Sequence, residues 1–275
     1  MQALTGLRVL DVGGTVATGY CGKLFADHGA DVIDVEPIVG ASTRSLAPFD
    51  ACADAPERSV LHTYLSAHKR SVAIDLDRIE GRALFGALVR NADVVLDASV
   101  GDRPLFAELS HIAPKVVLSR ITWFGQTGPY RDYAGSDAVC HALIGMLRGI
   151  GPVEGPPTMP SGYQAQIVGG LTAYIGTLGH VIGAELGNRT DACALDTSIY
   201  EANTCFTDVG AVGAFNTGAV IAGKLSDVLN GPLQFLRRDW LLGQVDGVPV
   251  VITGFRPSAQ VQHNFDQAVG IPLQN

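Results

Sequence analysis

The sequence predicts an α/β fold, a doubly wound, Rossmann-like parallel sheet with helices on both faces. Three observations predict it. Short apolar, β-branched runs recur through the first half of the chain, at residues 7–12, 31–36, 72–76, 93–98 and 115–119. Segments with apolar residues at helical spacing alternate with them, which is the pattern of a wound parallel layer. The composition, 47% apolar with only 17% charged residues over 275 positions, excludes disorder and supports a large core.

In chain order, LRVLDV ends at Gly13-Gly14, and residues 18–28 follow as a helix closed by Gly29. DVIDVE, residues 31–36, completes a first β-α-β unit. The paired glycines at a strand-to-helix junction invite a dinucleotide reading, but the G-x-G-x-x-G spacing is absent, so the signal for a nicotinamide cofactor is weak. Residues 38–60, rich in Gly, Ser, Ala and Pro, show no sustained period and read as a long loop. Leu65-Ser66-Ala67-His68-Lys69-Arg70-Ser71 precedes the strand at 72–76. Its three adjacent cationic or protonatable side chains suit a polyphosphate about as well as they suit a solvated charge run. Asp77-Arg78-Ile79-Glu80 has the form of a capping box, with Ile79, Leu84, Phe85 and Leu88 on the buried face of the helix it opens.

The chemistry is placed in residues 120–160. After a strand end, this stretch passes through the turn Phe124-Gly125-Gln126-Thr127-Gly128-Pro129-Tyr130, a helix, and Val153-Glu154-Gly155-Pro156-Pro157-Thr158. A carboxylate held by fixed-φ prolines beside a glycine suits covalent acyl chemistry, because glycine lets backbone N–H groups approach a developing oxyanion. Local composition alone favours a surface turn with a solvated glutamate.

Residues 164–186 read as one long apolar helix. Its length and the Gly179/Gly183 spacing match a membrane span, but Gln166, His180 and Glu185 interrupt it, so a closely packed internal helix is expected. His180 is read as a satisfied histidine, not a catalytic one. A strand within 188–198, a helix from 199 to 206, and a hairpin with strands at 240–243 and 248–253 around Asp246-Gly247 follow. Two domains are expected, residues 1–229 and 230–275.

A net charge of -8 argues against nucleic acid and anionic membrane surfaces. The five cysteines, odd in number and scattered, lack metal-ligand spacing and read as buried thiols of a reducing cytoplasm. No charged n-region with an apolar h-region opens the chain, so a cytoplasmic location without a signal peptide is expected.

The central motifs, with Ser136-Asp137, resemble the core of the class III (CaiB/BaiF) coenzyme A-transferases, which include the formyl-CoA transferases and the 2-methylacyl-CoA racemases. The likeness extends to LRVLDV, DVIDVEP and residues 65–76, and covers nearly the whole chain. It implies a CoA site made by Val16, Ala17, Thr18, Arg44, Leu65, Ser66, Ala67, His68, Lys69, Arg70, Phe124, Gly125, Gln126 and Thr127. It implies catalytic roles for Glu154, Gly155 and Asp137, with acyl-CoA and a carboxylic acid as substrates and no permanently bound cofactor or metal. A homodimer or a heteromer with a paralogue is implied as well, as are a large CoA-binding domain over 1–229 and, from 230, the start of a smaller one whose first helix corresponds to 261–269.

The chain departs from the family pattern in several places. Thr18-Gly19 stands for Gly-Pro, Asp97-Ala98-Ser99-Val100 for Glu-Asn-Phe-Arg, and Glu154 for an aspartate nucleophile; a glycine-rich closing loop is missing from 210–229. The racemase acid–base pair, a His and an Asp, corresponds to Ser136 and Gln166, neither a usable base, so racemisation is disfavoured. Three readings follow: a CoA-transferase working through Glu154, a catalytically silent CoA-binding or structural subunit of a heteromer, and, with least support, a nucleotide-dependent oxidoreductase.

Overall fold

A computed structural model describes residues 2–52, 58–100, 105–150, 156–187, 191–204, 241–245 and 248–252. The chain divides into two compact units, residues 1–140 with 161–203, and residues 141–160 with 204–275.

In the first unit six strands form one sheet in the order β3-β2-β1-β4-β5-β6. These are β1 (Arg8–Asp11), β2 (Asp31–Glu36), β3 (Arg70–Ala73), β4 (Val94–Asp97), β5 (Val117–Thr122) and β6 (Cys193–Ser198), and every pairing is parallel. Parallel strands need crossovers, and helices supply them on both faces. One face is covered by α1 (Val16–Asp27) and α6 (Gln164–Glu185), around Val9, Phe25, Val94, Val117 and Ala173. The other is covered by α3 (Ile79–Val89) and α4 (Leu105–Ile112), around Leu10, Val95, Leu118, Val89 and Leu109. Leu10, Val95 and Leu118 face one way while Val9, Val94 and Val117 face the other, the period-2 alternation of a sheet buried on both sides. Strand order changes direction at β1/β4, the crevice where open α/β sheets take their ligands.

Shorter helices complete the described parts: α2 (Val60–Leu65), α5 (Asp137–Leu143) and α7 (Ile199–Asn203). In the second unit β7 (Leu241–Val245) and β8 (Val248–Ile252) pair antiparallel, as the Asp-Gly signal between them predicts. The expected boundary at 229/230 and the helix at 261–269 lie outside the described residues, as do residues 210–229.

Several local expectations shift. The third strand begins at Arg70, opposite Ile33, two residues earlier than expected, and the fifth runs Val117–Thr122 after a turn closed by Val116 N–H on the Ala113 carbonyl. The capping box at 77–80 does not form. Arg78 is the N-cap without a side-chain bond, and the Asp75 carboxylate takes the Asp77 N–H instead. Ile79 and Leu84 are exposed, because Gly81 seats the helix directly on the Asp75 carbonyl and turns the 81/85/88/89 face inward. α2 and α4 had no signal strong enough to mark them, and α2 is nucleated by Ser59, whose Oγ accepts the His62 N–H.

α6 is long and apolar enough to cross a membrane by length and composition alone. Its Gly169, Gly170, Ala173, Thr177 and Val181 are buried, but Leu171, Ile175 and Ile182 are exposed, so it is a one-faced helix, not a fully internal one. Cys21 and Cys140 are buried free thiols, whereas Cys52 is exposed, which corrects the expectation of uniform burial.

Candidate active site

The C-terminal ends of β1 and β2, with the start of β3, carry a compact polar cluster. Asp11 closes β1, Asp34 and Glu36 sit near the end of β2, and all three are acids in strands that packing forces inward. Lys69 answers two of them. Its Nζ reaches Asp34 Oδ1 at 3.1 Å and Asp11 Oδ2 at 3.3 Å, with 1% of the side chain exposed. Burial opposes the Lys69 charge, but Asp11 and Asp34 outweigh it and raise its pKa. Two carboxylates share that one ammonium, so burial and the Asp11 charge push Asp34 up to about 7.

Glu36 collects four donors: Arg44 Nε at 2.7 Å, Arg44 Nη2 at 2.8 Å, Ser71 Oγ at 2.6 Å and the Ala41 N–H at 2.8 Å. The Arg44 hydrogen bonds lead in lowering its pKa to about 2, with Ser71 and the Ala41 N–H adding to them against burial. The stability that a depressed acid contributes is present above its unfolded value and lost as the pH falls towards the folded one. Acid titration of the wild-type chain should therefore show a stability loss between the ordinary glutamate range and about pH 2 that Glu36→Gln lacks; superimposable urea midpoints over that window would contradict it.

This cluster supports the strand-to-helix turn. Asp11 Oδ1 takes the Gly13 N–H at 3.1 Å, and Thr15 and Thr18 form a reciprocal capping box at the start of α1. Val16, Ala17 and Thr18 are buried, and the Thr18 hydroxyl is engaged with Thr15, so any ligand at this turn meets backbone N–H groups and the positive end of the helix. A short 3₁₀ turn, Ser42–Ser45, folds over it. Ser42 Oγ donates to the Gly14 carbonyl, and Thr43 Oγ1 meets His62 Nδ1 at 2.8 Å in the buried interior. Gly14, Thr15, Gly19, Asp34, Thr43, His62, Leu65, Ser66 and Lys69 enclose a cavity of about 20 Å³, room for one water-sized group.

The structure thus brings Val16–Thr18, Arg44, Leu65, Ser66 and Lys69 around one turn. It does not bring Arg70 there. Arg70 opens β3 and is bound twice over to Asp31, the first residue of β2, at the opposite end of the sheet. Lys69, expected to face a polyphosphate, is instead buried beneath the turn, because Asp11 and Asp34 require a cation inside. Ala67 is half-buried and His68 exposed, with His68 at φ 65°, a left-handed conformation that reverses the chain between α2 and β3.

Across the switch point a second cluster holds the turn after β5. Gly125 lies at φ +81°, and a Cβ there would stand 3.3 Å from Asp196 Oδ2, so only glycine suits both the angle and the approach. The Gln126 N–H donates to Asp196 Oδ2 at 2.8 Å, and its side-chain amide donates to the Ser99 carbonyl at 3.0 Å. Asp97 accepts both the N–H and the hydroxyl of Ser99 and lies 3.5 Å from Arg120 Nε. Asp97-Ala98-Ser99-Val100 therefore braces the Phe124–Thr127 turn from β4. Phe124 is buried between Tyr130 and Tyr200, each 5.9 Å away, and Thr127 is exposed.

Asp137 opens α5 and caps α6. Its Oδ1 accepts the N–H groups of Ala165 at 2.9 Å and Gln166 at 3.3 Å, and its Oδ2 accepts the Gln166 amide at 3.0 Å. α6 has no side-chain cap of its own, so this carboxylate satisfies donors that would otherwise be orphaned. Glu154 and Gly155 lie outside the described residues. The Asp11/Asp34/Glu36 cluster was not anticipated, although acids at 31, 34 and 36 in an apolar run, with Lys69 and Arg70 opening the next strand, are the trace it leaves in the sequence.

The oxidoreductase reading weakens further here. In dinucleotide-binding sheets of this strand order the acid after β2 holds the ribose. Glu36, at that place, already has four donors.

Comparison with known proteins gives a consistent picture. The family model described as CoA-transferase family III matches residues 4–232. A succinate–glutarate CoA-transferase of Agrobacterium fabrum is 35% identical over 204 residues, 70% of this chain and 51% of that protein. The beta subunit of a succinyl-CoA–L-malate CoA-transferase of Chloroflexus aurantiacus is 34% identical over 208 residues, 72% of this chain and 49% of that protein. A CaiB/BaiF family protein from Brucella suis superposes with a TM-score of 0.65 at 25% identity, over 90% of this chain and 65% of the other. The chain spans about half the length of the curated relatives it matches. With the model match extending over most of the sequence, this chain belongs to CoA-transferase family III.

Proposed function

We propose that the chain moves CoA between an acyl-CoA and a carboxylic acid, with the CoA-binding segments arrayed along the C-terminal edge of the β1/β4 switch. The observation that carries this reading is the pair of braced turns flanking that switch, Gly13–Thr18 on Asp11 and Phe124–Thr127 on Asp196 and the Ser99 carbonyl. Glu154 is the nucleophile of this proposal. Its carboxylate attacks the thioester carbonyl and CoA thiolate leaves, giving a mixed anhydride. The thiolate then attacks the glutamyl carbonyl, releasing the donor acid and leaving a glutamyl-CoA thioester. An acceptor carboxylate displaces the thiolate to form a second anhydride, and the thiolate attacks its acyl carbonyl, yielding the new acyl-CoA and free Glu154. Backbone N–H groups stabilise each oxyanion.

Relatives bear the names of succinate–glutarate and succinyl-CoA–L-malate transferases, so succinyl-CoA and short dicarboxylic acids are the first substrates to assay. Incubation with succinyl-CoA followed by hydroxylamine should mark the peptide containing Glu154, and Glu154→Gln should abolish the mark while CoA binding persists. A mark on another carboxylate, or none with several donors, would remove this mechanism.

A second reading has its own support. Asp137 is fully engaged as a cap, Gln166 presents an amide beside it, and two relatives are named as alpha and beta subunits of one transferase. On that reading the chain is a silent, CoA-binding subunit of a cytoplasmic heteromer. Retained CoA binding with no adduct, and activity of a reconstituted complex indifferent to Glu154→Gln, would establish it.

A further inference from the structure

The buried cluster under the β1–α1 turn does not balance its charges. Asp34 is faced by Asp11 from β1, by Lys69 from the turn before β3, by Glu36 from its own strand, and through Glu36 by Arg44 of the 3₁₀ turn. The Cys21 thiol of α1 lies beside Asp11 and Lys69, and burial keeps it protonated. His62 of α2 lines the same cavity, with its ring nitrogens against the Thr43 and Ser66 hydroxyls. Glu36 and Arg44 neutralise one another. That leaves Lys69 to serve two carboxylates, and one negative charge is in excess whenever both are ionised.

The same cluster governs the turn above it. Asp11 holds Lys69 through Oδ2 and the Gly13 N–H through Oδ1, and Gly14 and Thr15 line the cavity that Asp34 also lines. A negative charge placed on that turn meets N–H groups of which one, that of Gly13, is held by the acid that shares Lys69 with Asp34. We propose that Asp34 is a proton-holding switch beneath the β1–α1 turn, so that binding of a phosphate-bearing ligand there is linked to uptake of a proton by the Asp11–Asp34–Lys69 cluster.

This rests on the reading that CoA uses the turn. Burial and the Asp11 charge place the transition of Asp34 at about 7, so the switch works near neutrality. Linkage is reciprocal: an anion that raises the proton affinity of Asp34 binds more tightly when Asp34 is protonated. Affinity should therefore weaken as the pH rises above neutrality, by at most about tenfold per pH unit.

The probe is 3′-dephospho-CoA, whose diphosphate does not titrate in this range. Calorimetry at about pH 7.5, in two buffers of different ionisation heat, should count a fraction of a proton taken up by the wild-type protein and none by Asp34→Asn. In the absence of ligand, a raised carboxyl stabilises most below its unfolded value, and this contribution is lost as the pH rises through the folded one. Wild type should therefore lose stability relative to Asp34→Asn between about pH 4 and pH 7, and parallel profiles overturn the switch. Binding with equal proton counts overturns the linkage alone. Absence of binding, with profiles that diverge, overturns the CoA reading and the linkage but leaves the proton on Asp34. If Asp34→Asn does not fold, the wild-type proton count decides: it must fall towards zero at about pH 5.5, where Asp34 is already protonated, and a constant count overturns the proposal.

Discussion

Lys69→Met is expected to destabilise the chain by about 3–5 kcal/mol, the range seen when one partner of a buried ion pair is removed. The side chain is 1% exposed and bridges carboxylates from two adjacent strands, so its loss leaves Asp11 and Asp34 without a cation in the interior. Part of the cost is recoverable. Burial and Asp11 already raise the proton affinity of Asp34, and Lys69→Met combined with Asp34→Asn removes one of the two acids, so the double variant should be more stable than Lys69→Met alone. Urea unfolding of the wild type, both single variants and the double variant forms the cycle. A loss below about 1 kcal/mol for Lys69→Met would mean that solvent reaches the cluster and that the turn is held by other contacts.

Gly170→Ala is the second large effect. A Cβ at Gly170 would stand 2.4 Å from the Ala17 carbonyl oxygen and 3.3 Å from the Cys21 nitrogen, both backbone atoms that cannot rotate away. The two helices must separate, and overpacking of this kind costs about 3 kcal/mol, the upper part of its usual range. The melting temperature should fall by roughly 6–12 °C for a chain of this size. Because Ala17 belongs to the first turn of α1, the displacement should also weaken binding of CoA at the turn where we propose it. Gly179→Ala is the control, since open space surrounds that position and α6 gains helix propensity there. Equal melting temperatures for the two variants would show that the crossing relaxes without strain.

The partner in a close approach of this kind is invisible in a sequence. Close packing of the long helix is expected from its sequence, but nothing in the run Gly169-Gly170 says that Ala17 and Ile199 are what lie against it. The expected buried face of α3 failed for the same reason. Ile79 and Leu84 fit a helical stripe, but the helix is seated by Gly81 on the Asp75 carbonyl, a contact between segments that no periodicity reports. Asp137 also serves as a cap that its own local sequence does not announce, because α6 begins at Gln164 without a side-chain cap and its first N–H groups lie within reach. Arg70 and Lys69 look alike in sequence, and the pleat sends them to different partners: Lys69 inward to Asp11 and Asp34, Arg70 back to Asp31 at the far end of the sheet.

By itself the sequence determined the wound parallel sheet, its first β-α-β unit, the long helix at 164–185 and the hairpin near 245, since each is a local period or turn signal extending over several residues. Its motifs also fixed the family. Only the tertiary structure decided which charges are buried and whom they serve. A carboxylate in an apolar strand has the same local sequence whether it waits for a ligand or is held by a lysine 35 residues away, as Asp34 is by Lys69. Burial and pairing are properties of what folds against a residue, and they set the protonation of Asp34, the saturation of Glu36 and the rigidity of the turn that a ligand would meet.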